Sequence, residues 1–194
     1  MGWRWGRSQD IYATPYRLQS VTIYSCLVID SLAFSYTDRD GQHHSSGHWD
    51  GHGGACNTVL LGPSEFLTGI SGTIDSYEDQ SQVITSLMLV TNARSYGPFG
   101  RTQGTPFQVP LQSNGCIVGF FGRADQYLNA VGVYTNHNAG VARIGPWGGD
   151  GGMSCDIDDH NDQQHHAGPW GGCGGNDHKV SLKHNEIKLL FKKK

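Results

Sequence analysis

The chain has 194 residues, a formal net charge of −3 at pH 7, 28 glycines and only 7 prolines. So much glycine beside so little proline is typical of one domain with many tight turns between short strands, with room for an appendage. The near-neutral charge argues against a nucleic-acid surface. No segment reaches the roughly 20 apolar residues of a membrane span. We therefore expect neither nucleic acid nor a membrane as a partner.

The cysteines are odd in number, and no two of them are spaced as C-x-x-C. They are Cys26, Cys56, Cys116, Cys155 and Cys173. Neither a disulfide framework nor a thiolate zinc site is indicated, and free thiols fit a reducing compartment. The opening residues, MGWRWGRSQDI, lack the apolar stretch of a secretory signal. We therefore expect a cytoplasmic or nucleocytoplasmic protein.

Short segments rich in β-branched and aromatic residues follow one another through the first two thirds of the chain, bounded by Gly, Asn, Asp and Ser. This pattern predicts strands. In chain order they cover residues 21–24, 32–36, 59–61, 87–90, 117–121 and 131–134. No stretch among them combines the 3.6-residue period of a helix with helix caps. The sequence therefore predicts an all-β domain.

Three five-residue motifs resemble one another: VIDSL at 28–32, VITSL at 83–87 and YLNAV at 127–131. The first two lead, after a strand, into loops of glycine and aromatic residues, GHWDGHGG at 47–54 and YGPFG at 96–100. The third has no such loop nearby, so a circular pattern would take it from GWRWGRSQD near the N-terminus. Three units that close on one another would bury a core that no single unit could bury. The repeat predicts a three-sheet prism or barrel with approximate three-fold symmetry.

The composition changes after residue 136. Residues 145–152 read GPWGGDGG and residues 168–175 read GPWGGCGG, and a polar, acidic, histidine-rich stretch separates them. The last segment, 179–194, fits a short strand or a helical turn equally well. About fifty residues with few apolar side chains make a poor independent domain. We therefore place one domain at 1–136 and a linker with a poorly ordered remainder at 137–194.

Three longer runs resemble the jacalin-related lectins of plants: SEFLTGISGTI at 64–74, SYGPFGRTQGTPFQVP at 95–110 and GFFGRADQYLNAVGVY at 119–134. They lie in the family's order, and the resemblance covers about residues 8 to 136. It implies a β-prism of three four-stranded Greek-key sheets that binds mannose- or glucose-containing glycans without a metal, another cofactor or catalysis. Pairing of two prisms into a homodimer is left open. By the same resemblance, GPWGGDGG looks like the first strand of a second, truncated jacalin-like domain.

The resemblance places one sugar site where the last glycine of an N-terminal loop meets a G-x-x-x-D turn. The residues of this first site are Gly6, Asp125, Gln126, Tyr127 and Asn129. Both signature positions differ, because Asp125 replaces the glycine and Asn129 replaces the aspartate. Asn129 keeps one acceptor but loses the charge, which we expect to weaken binding by about 1–2 kcal/mol. Asp125 requires an unusual backbone angle, which aspartate tolerates, or a reshaped turn.

The next repeat offers a second site at the turn CLVID, which faces the loop ending Gly53-Gly54. Its residues are Leu27, Val28, Asp30 and Gly54. Asp30 keeps the family's aspartate, whereas Cys26 replaces the glycine. Because charge-assisted hydrogen bonds are roughly twice as strong as neutral ones, this site is chemically the more promising. The alternative is that Asp30 only caps a turn. The third repeat has Thr85 at this position and offers no carboxylate.

Ten histidines suggest metal binding as an alternative function. Seven of them cluster, near one glycine-rich loop or in the acidic linker: His43, His44, His48, His52, His160, His165 and His166. Imidazole with carboxylate suits zinc or nickel. The spacing lacks the regularity of a structural zinc site, and we expect solvated loop histidines.

Two further alternatives concern the sugar site itself. Glycoside hydrolysis needs two carboxylates across one bond, and Asp30 has none at its own turn, although Asp50 lies in the adjacent loop. A prism that has lost sugar binding would serve as a protein-interaction module. Trp3 and Trp5 fit a sugar wall, an interaction patch or ordinary packing.

Overall fold

The computed structural model divides the chain into two compact units, residues 1–154 and 155–194. It describes residues 7–109, 111, 115–137 and 140–149, all of which belong to the first unit. These residues form twelve strands and no helix, and no helix long and apolar enough to cross a membrane occurs among them. The all-β prediction is confirmed.

The strands form three sheets of four, in each of which hydrogen-bonded neighbours follow one another in a fixed order. The order in the first sheet is β4 (His43–Ser45), β3 (Ile29–Thr37), β2 (Arg17–Ser25) and β5 (Ala55–Leu60). The order in the second is β8 (Ser95–Gly100), β7 (Gln80–Thr91), β6 (Leu67–Tyr77) and β9 (Thr105–Gln108). The order in the third is β12 (Gly140–Gly148), β11 (Leu128–His137), β10 (Cys116–Ala124) and β1 (Arg7–Gln9). One residue pair, Ile117 with Leu67, joins the second and third sheets.

All three sheets have the same antiparallel topology. A central hairpin pairs on one side with the strand that follows it in the chain, and on the other side with a fourth strand. In the third sheet the fourth strand is β1, which comes from the N-terminus and pairs Arg7 with Ala124, as Ala55 pairs with Ser25 in the first sheet. The predicted prism of three four-stranded Greek-key sheets, closed by the N-terminal segment, is therefore confirmed.

A single core fills the space between the sheets. Alternate residues of a strand point to one face, and all three central hairpins contribute fully buried side chains to it. They include Val21, Ile23, Leu32, Leu67, Ile70, Leu87, Leu89, Phe120, Val131 and Val133. Trp49, from the GHWDGHGG loop, is 1% exposed and packs edge-on to Phe34 with ring centroids 5.8 Å apart. This loop is therefore anchored in the core and held beside its hairpin.

The end of the prism differs from the predicted domain limit at residue 136. Strand β12 pairs with β11 along its length, from His137 opposite Gly140 to Ala130 opposite Gly148. Without it, the backbone groups along the outer edge of β11 would lack strand partners. We assigned this segment to another domain because its sequence resembles the first strand of such a domain, whereas in the structure it is the last strand of the prism.

Side chains of β12 also belong to the prism. Ile144 and Trp147 pack against the core, and the Trp147 ring stacks on Phe107 at 6.2 Å. The Arg143 guanidinium lies 3.8 Å from the centre of the Phe121 ring and 3.2 Å from a carboxylate oxygen of Asp10. The segment that we predicted to open a truncated second domain is therefore the last strand of the prism. The other residues of that predicted domain lie outside the described part of the chain.

The three central hairpins turn at the same end of the prism. Val28, Val83 and Tyr127 occupy equivalent positions in the three sequence motifs and form one small buried cluster with Tyr77. Asp30, Thr85 and Asn129 each lie two residues after one of these positions, so all three lie at this end of the prism.

Candidate functional site

Two of the hairpins have turns of the same geometry. The amide of Cys26 donates to the carbonyl of Val28 at 3.1 Å, and the amide of Asp125 donates to the carbonyl of Tyr127 at 3.1 Å. Neither Cys26 nor Asp125 has a positive φ. The unusual backbone angle that we considered for Asp125 is therefore not adopted, and the turn accepts a side chain where the family pattern has glycine.

A glycine from a neighbouring segment closely approaches each hairpin. A β-carbon on Gly51, Gly100 or Gly148 would lie only 1.9, 2.3 and 2.2 Å from the carbonyl oxygen of the equivalent hairpin residue. Those carbonyls belong to Asp30, Thr85 and Asn129. No larger residue permits this contact. The three segments are thus held at the same place in each repeat, and in two of them this place is next to a residue, Asp30 or Asn129, that the resemblance assigns to sugar binding.

Asp30 lies at the base of the second site. Its side chain is 7% exposed, and its Oδ2 is buried without a hydrogen-bond partner. Gly53 and Gly54 face it so closely that β-carbons there would lie 3.1 Å from Oδ1 and 2.5 Å from Oδ2. Burial raises the pKa of this carboxyl, opposed by the backbone amides of Cys26 and of Asp30 itself. The site therefore holds a carboxylate whose unused acceptor lies between a turn and a glycine loop.

Leu27 and Val28, which are also predicted for the second site, lie on the turn that precedes Asp30. Leu27 is about half exposed at the tip of the turn, whereas the Val28 side chain is buried in the cluster between the hairpins. Val28 can therefore contribute only backbone groups to a ligand. The Asp50 side chain, on the adjacent loop, accepts a hydrogen bond from Gln9 at 3.3 Å.

Asn129 lies at the base of the first site and is 9% exposed. Its Nδ2 donates to the Gln80 side chain and to the Gln82 carbonyl, the latter at 3.3 Å. Its Oδ1 is buried without a partner. The turn is fixed from the loop of the first sheet, because the Gly51 amide donates to the Asp125 carbonyl at 2.8 Å. Gly6, the predicted loop partner, lies outside the described residues.

The third repeat shows the contrast. Thr85 Oγ1 donates to the Gln103 carbonyl at 2.6 Å and bonds the Thr73 hydroxyl at 2.7 Å. In the part of the chain that the structure describes, only Asp30 Oδ2 and Asn129 Oδ1 are buried side-chain polar atoms without a partner. Because buried polar groups are almost always hydrogen-bonded, two such atoms at equivalent positions of two repeats make these turns the candidate binding sites.

Two grooves in the described part of the chain lie away from the two turns. They measure about 280 and 490 Å³ and run over the second sheet, lined by residues of β6, β7 and β9 among others, and neither includes a residue of the two turns. The two turns instead hold the Asp30 carboxylate and the Asn129 amide, which are hydrogen-bonding groups that suit a ligand with hydroxyl groups.

Comparison with known proteins agrees with this geometry. Residues 1–134 match the family model described as the jacalin-like lectin domain. This chain belongs to the jacalin-like lectin family. Horcolin of Hordeum vulgare subsp. vulgare is 38% identical to it over 130 residues, which are 66% of this chain and 88% of horcolin. The mannose/glucose-specific lectin of Parkia pendula is 37% identical over 142 residues, 70% of this chain and 30% of that protein.

Solved structures of the family have the same fold. The mannose-binding jacalin-related lectin AcmJRL from Ananas comosus superposes with a TM-score of 0.64 at 40% identity, over 67% of this chain and 89% of AcmJRL. Malaysian banana lectin gives a TM-score of 0.63 at 33% identity, over 71% of this chain and 95% of that lectin. The fold and the family both point to non-enzymatic carbohydrate binding.

The described histidines near the GHWDGHGG loop contact neighbouring side chains. The His44 ring lies 2.7 Å from Asp38, and this hydrogen bond lowers the pKa of the Asp38 carboxyl. His48 and His52 stack on each other with ring centroids 5.9 Å apart, and Tyr24 packs edge-on to His48. No group of three metal-ligating side chains occurs in the described ranges. Trp3, Trp5 and the linker histidines lie outside those ranges.

The sequence reasoning missed residues that the β6–β7 hairpin brings to the first site. Glu78 accepts hydrogen bonds from Tyr127 and Gln126, and Gln80 binds Asn129. Nothing in the Tyr127 motif announces these contacts, because they cross from one sheet to another. The sequence feature that could have indicated these contacts is the length of the β6–β7 hairpin. Its strands extend to Tyr77 and Gln80 and so reach further than the equivalent strands of the other two hairpins.

Proposed function

We propose that this protein is a lectin that reversibly binds mannose- or glucose-type glycans. The observation that carries the proposal is the pair of unpartnered buried oxygens, Asp30 Oδ2 and Asn129 Oδ1, at equivalent turns of two repeats. Family membership and the mannose-binding AcmJRL support the choice of ligand.

At the second site, the Asp30 carboxylate accepts hydrogen bonds from sugar hydroxyls while backbone amides of Leu27 and Val28 donate to sugar oxygens. Gly53 and Gly54 let the ring approach the carboxylate, because any β-carbon there would occupy the same space. Hydrogen bonds to the charged oxygens favour the ionised form and so oppose the effect of burial on the Asp30 pKa. Backbone donors in a fixed turn add affinity without loss of side-chain entropy.

At the first site, the backbone amides of Gln126 and Tyr127 take the same role, and Asn129 Oδ1 is a neutral acceptor. A neutral acceptor forms weaker hydrogen bonds than a carboxylate. We therefore assign the tighter site to Asp30. The alternative of a prism that only binds proteins is not favoured, because it leaves both buried oxygens unexplained.

The test is isothermal titration of the full chain with methyl α-mannoside. Asp30→Asn keeps the size of the side chain and removes the charge, and we expect it to eliminate the tighter binding event. Asp40→Asn, which removes an exposed carboxylate at the β3–β4 turn, is the matched control and should bind as the wild type does. A wild-type chain that is folded and shows no mannoside binding overturns the proposal.

Residues 150–194 we assign to the remainder of a truncated second jacalin-like domain. The support is the run GPWGGCGG at 168–175, which resembles the glycine-rich loop of such a domain. Trypsin should remove this segment before it cuts the prism, and cleavage of the prism first would contradict the assignment.

We also propose a cytoplasmic or nucleocytoplasmic location. It is supported by the three unpaired thiols of the prism, Cys26, Cys56 and Cys116, because such thiols persist in reducing compartments. Homodimer formation stays a prediction that light scattering would test. The expectation of no nucleic-acid and no membrane partner also stays a prediction.

A further inference from the structure

The outer strands of the three sheets differ in how well they can pair with another chain. An outer strand has a row of backbone amides and carbonyls along its open side, and a further strand can pair there. In the described chain, β1 and β4 are only three residues long, and β8, β9 and β12 each contain a proline. Short outer strands and prolines are common obstacles to such pairing. Of the outer strands that the structure describes, β5 alone has neither obstacle.

Strand β5 is regular along its whole length. It has six residues and no charged side chain. All of them pair with β2 without a register shift, from Leu60 opposite Ser20 to Ala55 opposite Ser25, and β5 is the last strand of its sheet. Residues of an antiparallel strand direct their backbone groups alternately to its two sides. Half of the β5 residues therefore direct an amide and a carbonyl away from β2.

The outward side chains of β5 are apolar or uncharged. Residues that lie opposite each other in neighbouring strands share a face. Thr58 lies opposite Thr22, with the two hydroxyl oxygens 3.0 Å apart, and Cys56 lies opposite Tyr24. Cys56, Thr58 and Leu60 alternate along one face, and Leu60 is 74% exposed. This face carries no charge that would repel a second copy of itself.

We propose that β5 pairs with β5 of a second copy of this chain, antiparallel about a two-fold axis at Thr58. Leu60 of each copy then lies opposite Cys56 of the other, which covers the exposed apolar side chain. A register centred on Asn57 would place Leu60 opposite Gly54, which has no side chain to cover it. The contact is self-complementary, as a two-fold dimer requires, and it joins two four-stranded sheets into one. The proposal does not depend on sugar binding.

The first test is sedimentation velocity of the full chain over a concentration series. Thr58→Lys places two like charges opposite each other at the axis, and we expect the dimer Kd to rise more than about tenfold because such a juxtaposition is strongly unfavourable. Thr22→Lys is the matched control, since it adds the same charge to the same face one strand further in. Its dimer Kd should equal that of the wild type, and thermal unfolding of both variants confirms that they are folded.

Three outcomes of this test overturn the proposal. They are a wild-type chain that stays monomeric throughout the series, a dimer that Thr58→Lys leaves intact, and equal weakening of the dimer by Thr58→Lys and Thr22→Lys. The second of these would show that the copies associate through another surface.

The second test detects the axis directly by disulfide cross-linking of the full chain. In Thr58→Cys the two new thiols lie opposite each other, with α-carbons about 4.5–5.5 Å apart, which is within the range of a disulfide. Oxidised glutathione converts the two thiols into one disulfide and is itself reduced to two molecules of glutathione. Thr22→Cys is the control, because three strand spacings, about 14 Å, would separate its thiols.

We expect a covalent dimer on a non-reducing gel for Thr58→Cys only. The wild-type chain, treated in the same way, shows how much cross-linking its own thiols produce. No covalent dimer above the wild-type amount in Thr58→Cys, or the same amount in Thr22→Cys, overturns the pairing at Thr58.

Discussion

Gly54 is the residue at which the second site can be closed with the smallest change. In Gly54→Ala the new methyl group would lie 2.5 Å from Asp30 Oδ2 and 2.5 Å from the Ser25 carbonyl carbon. Gly54 also has φ +71°. The substitution therefore introduces backbone strain and steric overlap together. It places the methyl group where the ligand must approach the carboxylate.

The two contributions can be estimated separately. A side chain in the left-handed region costs about 1 kcal/mol. Overlap with well-packed atoms costs typically about 1–3 kcal/mol more. We therefore expect Gly54→Ala to lower the free energy of unfolding by about 2–4 kcal/mol. Mannoside binding at the Leu27 and Val28 amides should be lost even where the variant is fully folded.

Gly47 provides the matched control. It has nearly the same backbone angle, φ +68°, but a β-carbon there would meet nothing within 4 Å. Gly47→Ala should therefore lose only about 1 kcal/mol and bind mannoside normally. Urea unfolding and mannoside titration of both variants measure the two effects. Equal losses of stability in both variants, with normal binding in Gly54→Ala, would refute the reasoning.

Three further predictions concern the closing strand, Asp30 and Asn129. A chain ending after Gly149 should unfold in urea like the full chain. A chain ending after residue 139 lacks the packing of Ile144 and Trp147, and we expect its free energy of unfolding to be lower by more than about 3 kcal/mol. Equal urea midpoints for the two chains would contradict the role of β12. Burial raises the pKa of Asp30 in the folded state, so ionisation of this carboxyl opposes folding above its unfolded pKa and not below it. Asp30→Asn should therefore raise the melting temperature at pH 7 and raise it less at pH 3.5, and a lower melting temperature at pH 7 would be inconsistent with this. Asn129→Asp should tighten first-site binding about fivefold to tenfold while lowering stability, because a carboxylate cannot donate to Gln80 and Gln82; unfolding and titration of one sample check both signs.

The fold was predictable where strands alternate or carry β-branched runs, as in β3 and β10. It was not predictable in β6, where Gly69 and Gly72 interrupt the pattern, although the hairpin with β7 fixes the strand by pairing. Strand β12 was misjudged for a different reason. Its sequence resembles the start of a domain, but a strand can pair with whichever sheet edge is open, and the open edge was that of β11.

The part of the site that lies within one short segment of the chain was predictable from the sequence. Asp30 and the turn before it lie within five consecutive residues, so the motif reveals them. Gly51 meets the Asp125 turn from another sheet, and Glu78 meets Tyr127 across 49 residues of chain. Contacts of this kind depend on how the three hairpins pack at one end of the prism, which no local pattern encodes.

The measurement that tests the assignment of the sugar sites most directly is an amide chemical-shift titration of the full chain with methyl α-mannoside. We predict saturable shifts at two places, the Leu27–Val28 turn of the second site and the Gln126–Tyr127 turn of the first site. Half-saturation should occur at a lower sugar concentration at the Leu27–Val28 turn. Shifts confined to the grooves over β6 and β9, or no saturable shift in a folded chain, would contradict the assignment of the sugar sites to the unpartnered oxygens of Asp30 and Asn129.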